Sequence, residues 1–202
     1  MPARVFREEE KREIKKKLLD IGFPMLKEYG LVHMSIPKIA KEAGIGTGTF
    51  YRFFQSKEEY IYRLIQYRRE ILLSEVVTED IKCGKRKLSK DEVRHMIQLL
   101  VDKDKSVYAN LNLKDEVKLL KYMQEFSPNI QKEKQITEKL LGWIEKPKEE
   151  IDLPVLANLM KSLVLIAQAR EELHQEGYER TISLLIDTIL NEIYGFEGGR
   201  ER

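Results

Sequence analysis

The chain has 202 residues, with 36 Lys and Arg against 34 Asp and Glu for a net charge of +2, 42% hydrophobic residues and a single cysteine. That apolar content is enough for a sizeable core in one or two domains, and the lone Cys83, in a polar stretch, excludes an intramolecular disulfide and a thiolate metal cluster. No run of 18 apolar residues occurs and the first residues lack the apolar stretch of a signal peptide, so the expectation is a soluble cytoplasmic protein with no membrane partner.

Charge is unevenly placed. Met1 to Glu70 holds 15 Lys and Arg against 10 Asp and Glu, or +5, whereas Ile71 to Arg202 holds 21 against 24, or −3. Attraction for a polyanion therefore belongs to the N-terminal third.

In chain order, Ile14, Leu18, Ile21, Met25 and Leu26 predict a first helix over Glu8–Tyr29, ended by Gly30. Pro24 inside it removes one backbone bond and is expected to bend it. Lys11, Arg12 and Lys15 to Lys17 form its solvated outer face, with some of that charge available to a polyanion. Ser35 is placed to cap a second helix, Pro37 is tolerated in its first turn, and Ile36, Ile39, Ala40 and Ala43 form its buried stripe. Gly44 suits the left-handed conformation that ends a helix, and Ile45 plugs the angle beyond it. A third helix is expected over about Gly46–Phe53. Gly46, Thr47, Gly48 and Thr49 keep its start small enough for close approach to a nucleic acid, and Phe50, Phe53 and Phe54 anchor it from behind. Ser56 with Glu59 forms a capping box that opens a fourth helix at once, carrying Ile61, Leu64, Ile65 and Leu72. Two short helices joined by a tight glycine turn are the grammar of a DNA-reading helix-turn-helix.

Ile39-Ala40, Ala43-Gly44-Ile45, Gly48-Thr49-Phe50-Tyr51, Phe53-Phe54 and Ser56-Lys57-Glu58 follow one another at the spacing of a known pattern. From Leu18 to about Leu64 the chain resembles the DNA-binding domain of the tetracycline-repressor (TetR) family of bacterial transcription regulators. The resemblance implies an all-α protein with two parts. Residues 1–55 form the helix-turn-helix domain, and residues 56–202 form a larger helical domain for effector binding and dimerisation, with the helix of about 56–75 connecting them and transmitting movement. It also implies roles for individual residues. Thr47 is the candidate for base contact and Arg52 for donation to guanine. Thr49, Tyr51 and Lys57 grip phosphates, the backbone at Gly48 lies close to the DNA, and Ser35 completes the DNA-binding set. Pro37 stands where some members carry a residue that reaches a base, so base reading rests on the helix after the turn.

Beyond Leu72 the elements continue helical. Thr78–Ser89 is polar, holds Gly84 and the basic Lys85–Lys87, and is expected to be a surface loop. Ser89-Lys90-Asp91-Glu92 is a second capping box, opening a helix with Val93, Met96, Ile97, Leu100 and Val101 inward. Further helices are expected at Lys114–Phe126 and Asn129–Ile144, punctuated by Ser127-Pro128 and Lys146-Pro147. Asp152 caps a helix with Val155, Leu156, Leu159, Met160, Leu163, Val164 and Ala167. Tyr178–Tyr194 carries Ile182, Leu185, Ile186, Ile189, Leu190 and Ile193. In the resembled family the last two helices pair across a twofold axis, which implies a homodimer on a palindromic DNA operator and repression released by an unidentified small-molecule effector. His95, Tyr108, Tyr122, Met123, Phe126 and Trp143 are the candidate pocket residues.

No cofactor or metal is expected. His33, His95 and His174 lie far apart and lack cysteine partners. An enzyme would need a nucleophile with its base, a phosphate-cradling glycine loop or paired carboxylates in a pocket, whereas these glycines serve turns and Gly198-Gly199 lies in a polar tail. Two other readings share the fold, a transcriptional activator and a protein-binding helical adaptor. Thr47, Tyr51 and Lys57 together favour DNA binding over the adaptor.

Overall fold

The computed structural model describes residues 6–111 and 130–195. Among them the fold is all-α: helices, turns and one isolated parallel bridge between Leu88 and Ile144. The chain divides into two compact units, Met1–Arg69 and Glu70–Arg202.

The first unit, the head, opens with α1, Glu8–His33. Gly30 inside it has φ 67°, so the helix breaks there and a short last turn follows. Pro24 is exposed and the helix continues through it, because an outward ring costs only the single backbone bond. Helix α2, Ile36–Ala43, is capped by the Ser35 hydroxyl, which accepts the Lys38 N–H, and buries the expected Ile36, Ile39, Ala40 and Ala43. Gly44 ends it at φ 78°, ψ 27°, and the Ile45 N–H donates back to the Ala40 carbonyl at 2.9 Å, closing the C-terminal motif that a left-handed residue permits.

Helix α3 is shorter than the expected Gly46–Phe53: only Thr47–Phe50 is α-helical. Gly48 in its first turn weakens it, and Tyr51–Phe53 continue as tight turns, with Arg52 N–H donating to the Thr49 carbonyl and Phe53 N–H to the Phe50 carbonyl. Helix α4, Lys57–Ser74, begins at Ser56, whose hydroxyl accepts the Glu59 N–H at 3.0 Å. The reciprocal bond differs from the expected box. Glu59 reaches the Gln55 N–H at 2.7 Å, one residue before Ser56. Most of α4 belongs to the head; Glu70–Ser74 belong to the second unit.

Phe50, Phe54 and Tyr60 form the centre of the head, all fully buried, with ring centroids 5.0 to 5.3 Å apart. The Tyr60 hydroxyl donates to the Leu18 carbonyl at 2.7 Å, and a Cβ on Gly22 would collide with that oxygen. Gly22 is thus the position that lets α4 approach α1 closely. Two further contacts join these helices: Tyr67 donates to Asp20 at 2.6 Å, and the Arg68 guanidinium lies 3.9 Å from the Phe23 ring centre.

The second unit, the body, contains α5 (Glu79–Lys82), α6 (Lys90–Val101), a 3-10 turn at Tyr108–Asn110, α7 (Ile130–Gly142), α8 (Leu153–Gln168), a second 3-10 turn at Arg170–Glu172 and α9 (Gln175–Tyr194). The stretch expected to be a surface loop, Thr78–Ser89, contains α5 and buries Ile81 and Leu88. Leu88 N–H donates to the Trp143 carbonyl at 2.7 Å and Glu145 N–H to the Leu88 carbonyl at 2.8 Å, so the segment is stitched into the core. Ser89 and Glu92 form the expected capping box of α6, and the Asp152 carboxylate accepts the Val155 N–H at 3.0 Å at the start of α8. Val93 and Ile97 are buried as expected and Leu99 joins them, whereas Val155, expected in the α8 stripe, is 42% exposed. The expected helix at 114–126 lies outside the described residues.

Candidate nucleic-acid interface

The turn and short helix of the head place the DNA-binding candidates as follows. Gly46 and Gly48 sit in the open, with no atom within 4 Å of where a Cβ would stand, so a flat or convex partner meets backbone there. Thr47 and Thr49 are half-buried, and Arg52 is exposed in the turn that follows. Tyr51 is 47% exposed while its ring stands edge-on to the buried Phe50 at 5.4 Å, so its inner edge is anchored and its hydroxyl end is accessible. These residues all lie in the continuous stretch Gly46 to Arg52.

Ser35 and Lys57 come from other elements, and each already has a structural task. Ser35 accepts the Lys38 N–H at 3.5 Å as the cap of α2, leaving its own O–H to donate. Lys57 donates from Nζ to the Val32 carbonyl at 3.0 Å, holding the end of α1. An ammonium has three donors, so this bond orients Lys57 without exhausting it.

Residues without a clear sequence signal complete the head. Lys17 donates from Nζ to the Ala43 carbonyl at 3.1 Å, placing a cation at the C-terminus of α2 immediately before the turn, where the helix dipole favours it. Lys38 lies 4.7 Å from the centre of the Tyr29 ring. Charge counting marks Lys17 as basic, but only the three-dimensional pairing reveals the carbonyl it serves. The aromatic cluster raises the Tyr60 phenol pKa by burial, so it remains a neutral donor.

This geometry agrees with the comparisons. The profile of the bacterial regulatory proteins of the tetR family matches residues 18–61. That match falls wholly within the head. An HTH-type transcriptional regulator of Staphylococcus aureus is 35% identical over 63 residues, which cover 31% of this chain and 34% of that protein. The match thus spans about a third of the relative's length. Across nearly the whole chain the fold is similar to that of a TetR family transcription regulator from Marinobacter aquaeolei VT8, with TM-score 0.55 and 16% identity over 93% of this chain and 98% of the other. It is also similar to the fatty acid degradation regulator FadR from Bacillus halodurans, with TM-score 0.51 and 15% identity over 94% and 97%. The similarity of fold therefore extends beyond the head into the body.

The body's pocket candidates are scattered. His95 is exposed on α6, Tyr108 is half-buried in the 3-10 turn, and Trp143 is half-buried against the core with Lys139 Nζ 5.4 Å from its ring centre. Tyr122, Met123 and Phe126 lie outside the described residues. A separate open cleft has an apolar floor of Val101, Tyr178, Ile182 and Ile186. At its rim Arg94 pairs with Asp187 at 2.8 Å, and Arg170 lies over Tyr178 at 4.5 Å. His95, Tyr108 and Trp143 do not line it. Among the described residues no group of three or more His, Cys, Asp or Glu is placed to hold a metal, and no helix is long and apolar enough to cross a membrane.

Proposed function

We propose that the chain is a sequence-specific DNA-binding regulator of transcription that acts in the cytoplasm as a homodimer on a palindromic operator. The observation that carries this reading is the left-handed Gly44 turn leading into a short helix with an open glycine start, Thr47 and Thr49 beside it, and a buried aromatic support behind. That arrangement supports insertion of α3 into the major groove, with Thr47 and Arg52 facing base edges and Ser35, Gly48, Thr49, Tyr51 and Lys57 facing the backbone. The net charge of +5 over Met1 to Glu70 supplies the attraction for phosphate.

Dimerisation is supported by the apolar residues that α8 and α9 leave outside: Val155 at 42%, Leu165 at 41% and Leu184 at 57% exposure. A second copy covering them places two short reading helices on one duplex, which supplies the affinity that one four-residue helix lacks. The regulator acts as a repressor, and a small effector bound in the body releases it by favouring the conformation with poor spacing for DNA.

Selection of bound duplexes from a random pool tests the reading: an inverted repeat should be enriched at moderate salt, and failure to enrich one would sink it. On the selected site, Lys57→Ala should weaken binding to all sequences and reduce the salt slope by about 1, whereas Thr47→Ala should change preference at one position. Leu184→Asp should convert a dimer to a monomer in sedimentation and weaken operator binding with it. A variant that stays dimeric removes α9 from the interface.

A further inference from the structure

The reading helix is unusually dependent on its supports. It has four α-helical residues and starts at Gly46 without a side-chain cap. Phe50 and Phe54, both fully buried, hold it against Tyr60. Residues four apart lie on the same side of a helical turn, so these two rings fix one line of contact and leave rotation about that line open. The residue placed to stop that rotation is Phe53, which is half-buried and points to a different side.

The Phe53 ring lies 6.3 Å from the ring of Phe6, tilted by 48°. Phe6 comes from the segment before α1, and the first turn of that helix sets its position. The Arg7 N–H donates to Glu10 Oε2 at 2.8 Å, and the Lys11 N–H donates to the Arg7 carbonyl at 2.9 Å. Phe6 also lines a groove together with Ile14, Ile45, Gly46 and Thr49. One ring therefore neighbours both the start of the reading helix and its closing turn.

We propose that Phe6 is a positioning residue for DNA reading: it braces Phe53 and so sets the angle at which Thr47, Tyr51 and Arg52 are presented. This rests on the DNA-reading function proposed above. Phe6 acts through Phe53 and is not itself assigned a DNA contact. Because it stands outside the Phe50–Phe54–Tyr60 cluster, its loss leaves that core filled and the head folded.

The test uses the full chain and two readouts. Binding to the selected duplex should weaken about five- to tenfold in Phe6→Ala, the range expected from an aromatic pair, and stay within about twofold of wild type in Phe6→Tyr, which restores the ring. Glu10→Ala, which loosens the turn that places Phe6, should shift binding in the same direction. Amide hydrogen exchange over residues 47–54 should quicken in Phe6→Ala and return toward wild type in Phe6→Tyr, while exchange in α8 and α9 stays unchanged. Unaltered exchange over 47–54 in Phe6→Ala overturns the brace whatever happens to binding. So does a Phe6→Tyr variant as weak as Phe6→Ala. A wild-type chain that selects no duplex defeats the DNA-reading function instead, and the exchange experiment still decides the brace.

Discussion

The two units are stabilised by different chemistry. At the centre of the head are three large rings, Phe50, Phe54 and Tyr60, tied by one buried hydrogen bond to the Leu18 carbonyl and admitted by a single glycine. Among the described residues the body's core is mostly aliphatic, built from Leu72, Val76, Val77, Ile81, Leu88, Val93, Ile97, Leu163 and the isoleucines of α9, with Tyr178 the one buried ring in it. Rings pack with directional preferences and few rotamers, whereas aliphatic side chains substitute for one another with modest repacking. The head is thereby built to hold one geometry, and the described core of the body to tolerate small rearrangements.

The widest gap between the units is expected in their tolerance of core change. Phe50→Leu, which puts an aliphatic group in place of the ring, should destabilise the head by about 2–4 kcal/mol, because it loses the ring contacts to Phe54 and Tyr60. Leu163→Met, at an equally buried site in the body, should cost under about 1.5 kcal/mol. Urea unfolding followed separately in the two units checks both. Equal losses would erase the distinction between a ring-keyed and an aliphatic core.

The next effect isolates the key of the head. Gly22→Ala should cost about 1–3 kcal/mol, since the new methyl meets the Tyr60 hydroxyl and lies close to Leu64. Tyr60→Phe removes the colliding oxygen along with its hydrogen bond, so the double variant should be more stable than the sum of the two single losses. A strictly additive double-mutant cycle would show that the two residues do not share this space.

Caps are the third scale, and they bear on what was legible in the sequence. Ser35→Ala and Asp152→Ala should each cost about 1 kcal/mol in thermal unfolding, one in each unit. Both caps, the Gly44 stop and the Ser89 box are visible in the sequence because each is a local steric or hydrogen-bonding rule acting within four residues. What the sequence does not show are the contacts whose partner lies far along the chain. Ile81 and Leu88 have no helical period; Leu88 is buried by its bridge to Ile144 and Ile81 by the body's apolar cluster. Lys57 carries a motif for phosphate contact, but its bond to Val32 depends on the fold of α1. Helix α3 is shorter than its apolar spacing predicts, because that spacing continues through Phe53 whereas regular helix stops at Phe50. In the site, Thr47 to Arg52 were readable as a run, whereas Phe6 and Lys17 gain their roles only from residues 47 and 26 positions away.

The smallest expected effect is electrostatic and belongs to the body. The Arg86 guanidinium makes two bonds to Glu92, at 2.8 and 2.9 Å, and the Ser89 N–H adds a third, so the Glu92 carboxyl is held down to about 2. A carboxyl with a depressed folded-state pKa contributes stability that is fully present above its ordinary pKa of 4.5 and is lost as pH falls toward about 2. Both partners remain partly in water, with 45% and 34% of their side chains exposed, so the contribution is the small one of a surface pair and weakens with salt. Glu92→Gln keeps an oxygen for the Ser89 cap but loses the charge. It should therefore be less stable than the wild type at pH 6 and approach it as the pH drops below 4.5, with the gap narrowing also at 1 M salt. A gap that stays constant across that pH range would assign the loss to the cap, leaving the Arg86 pair with no measurable share in opening α6.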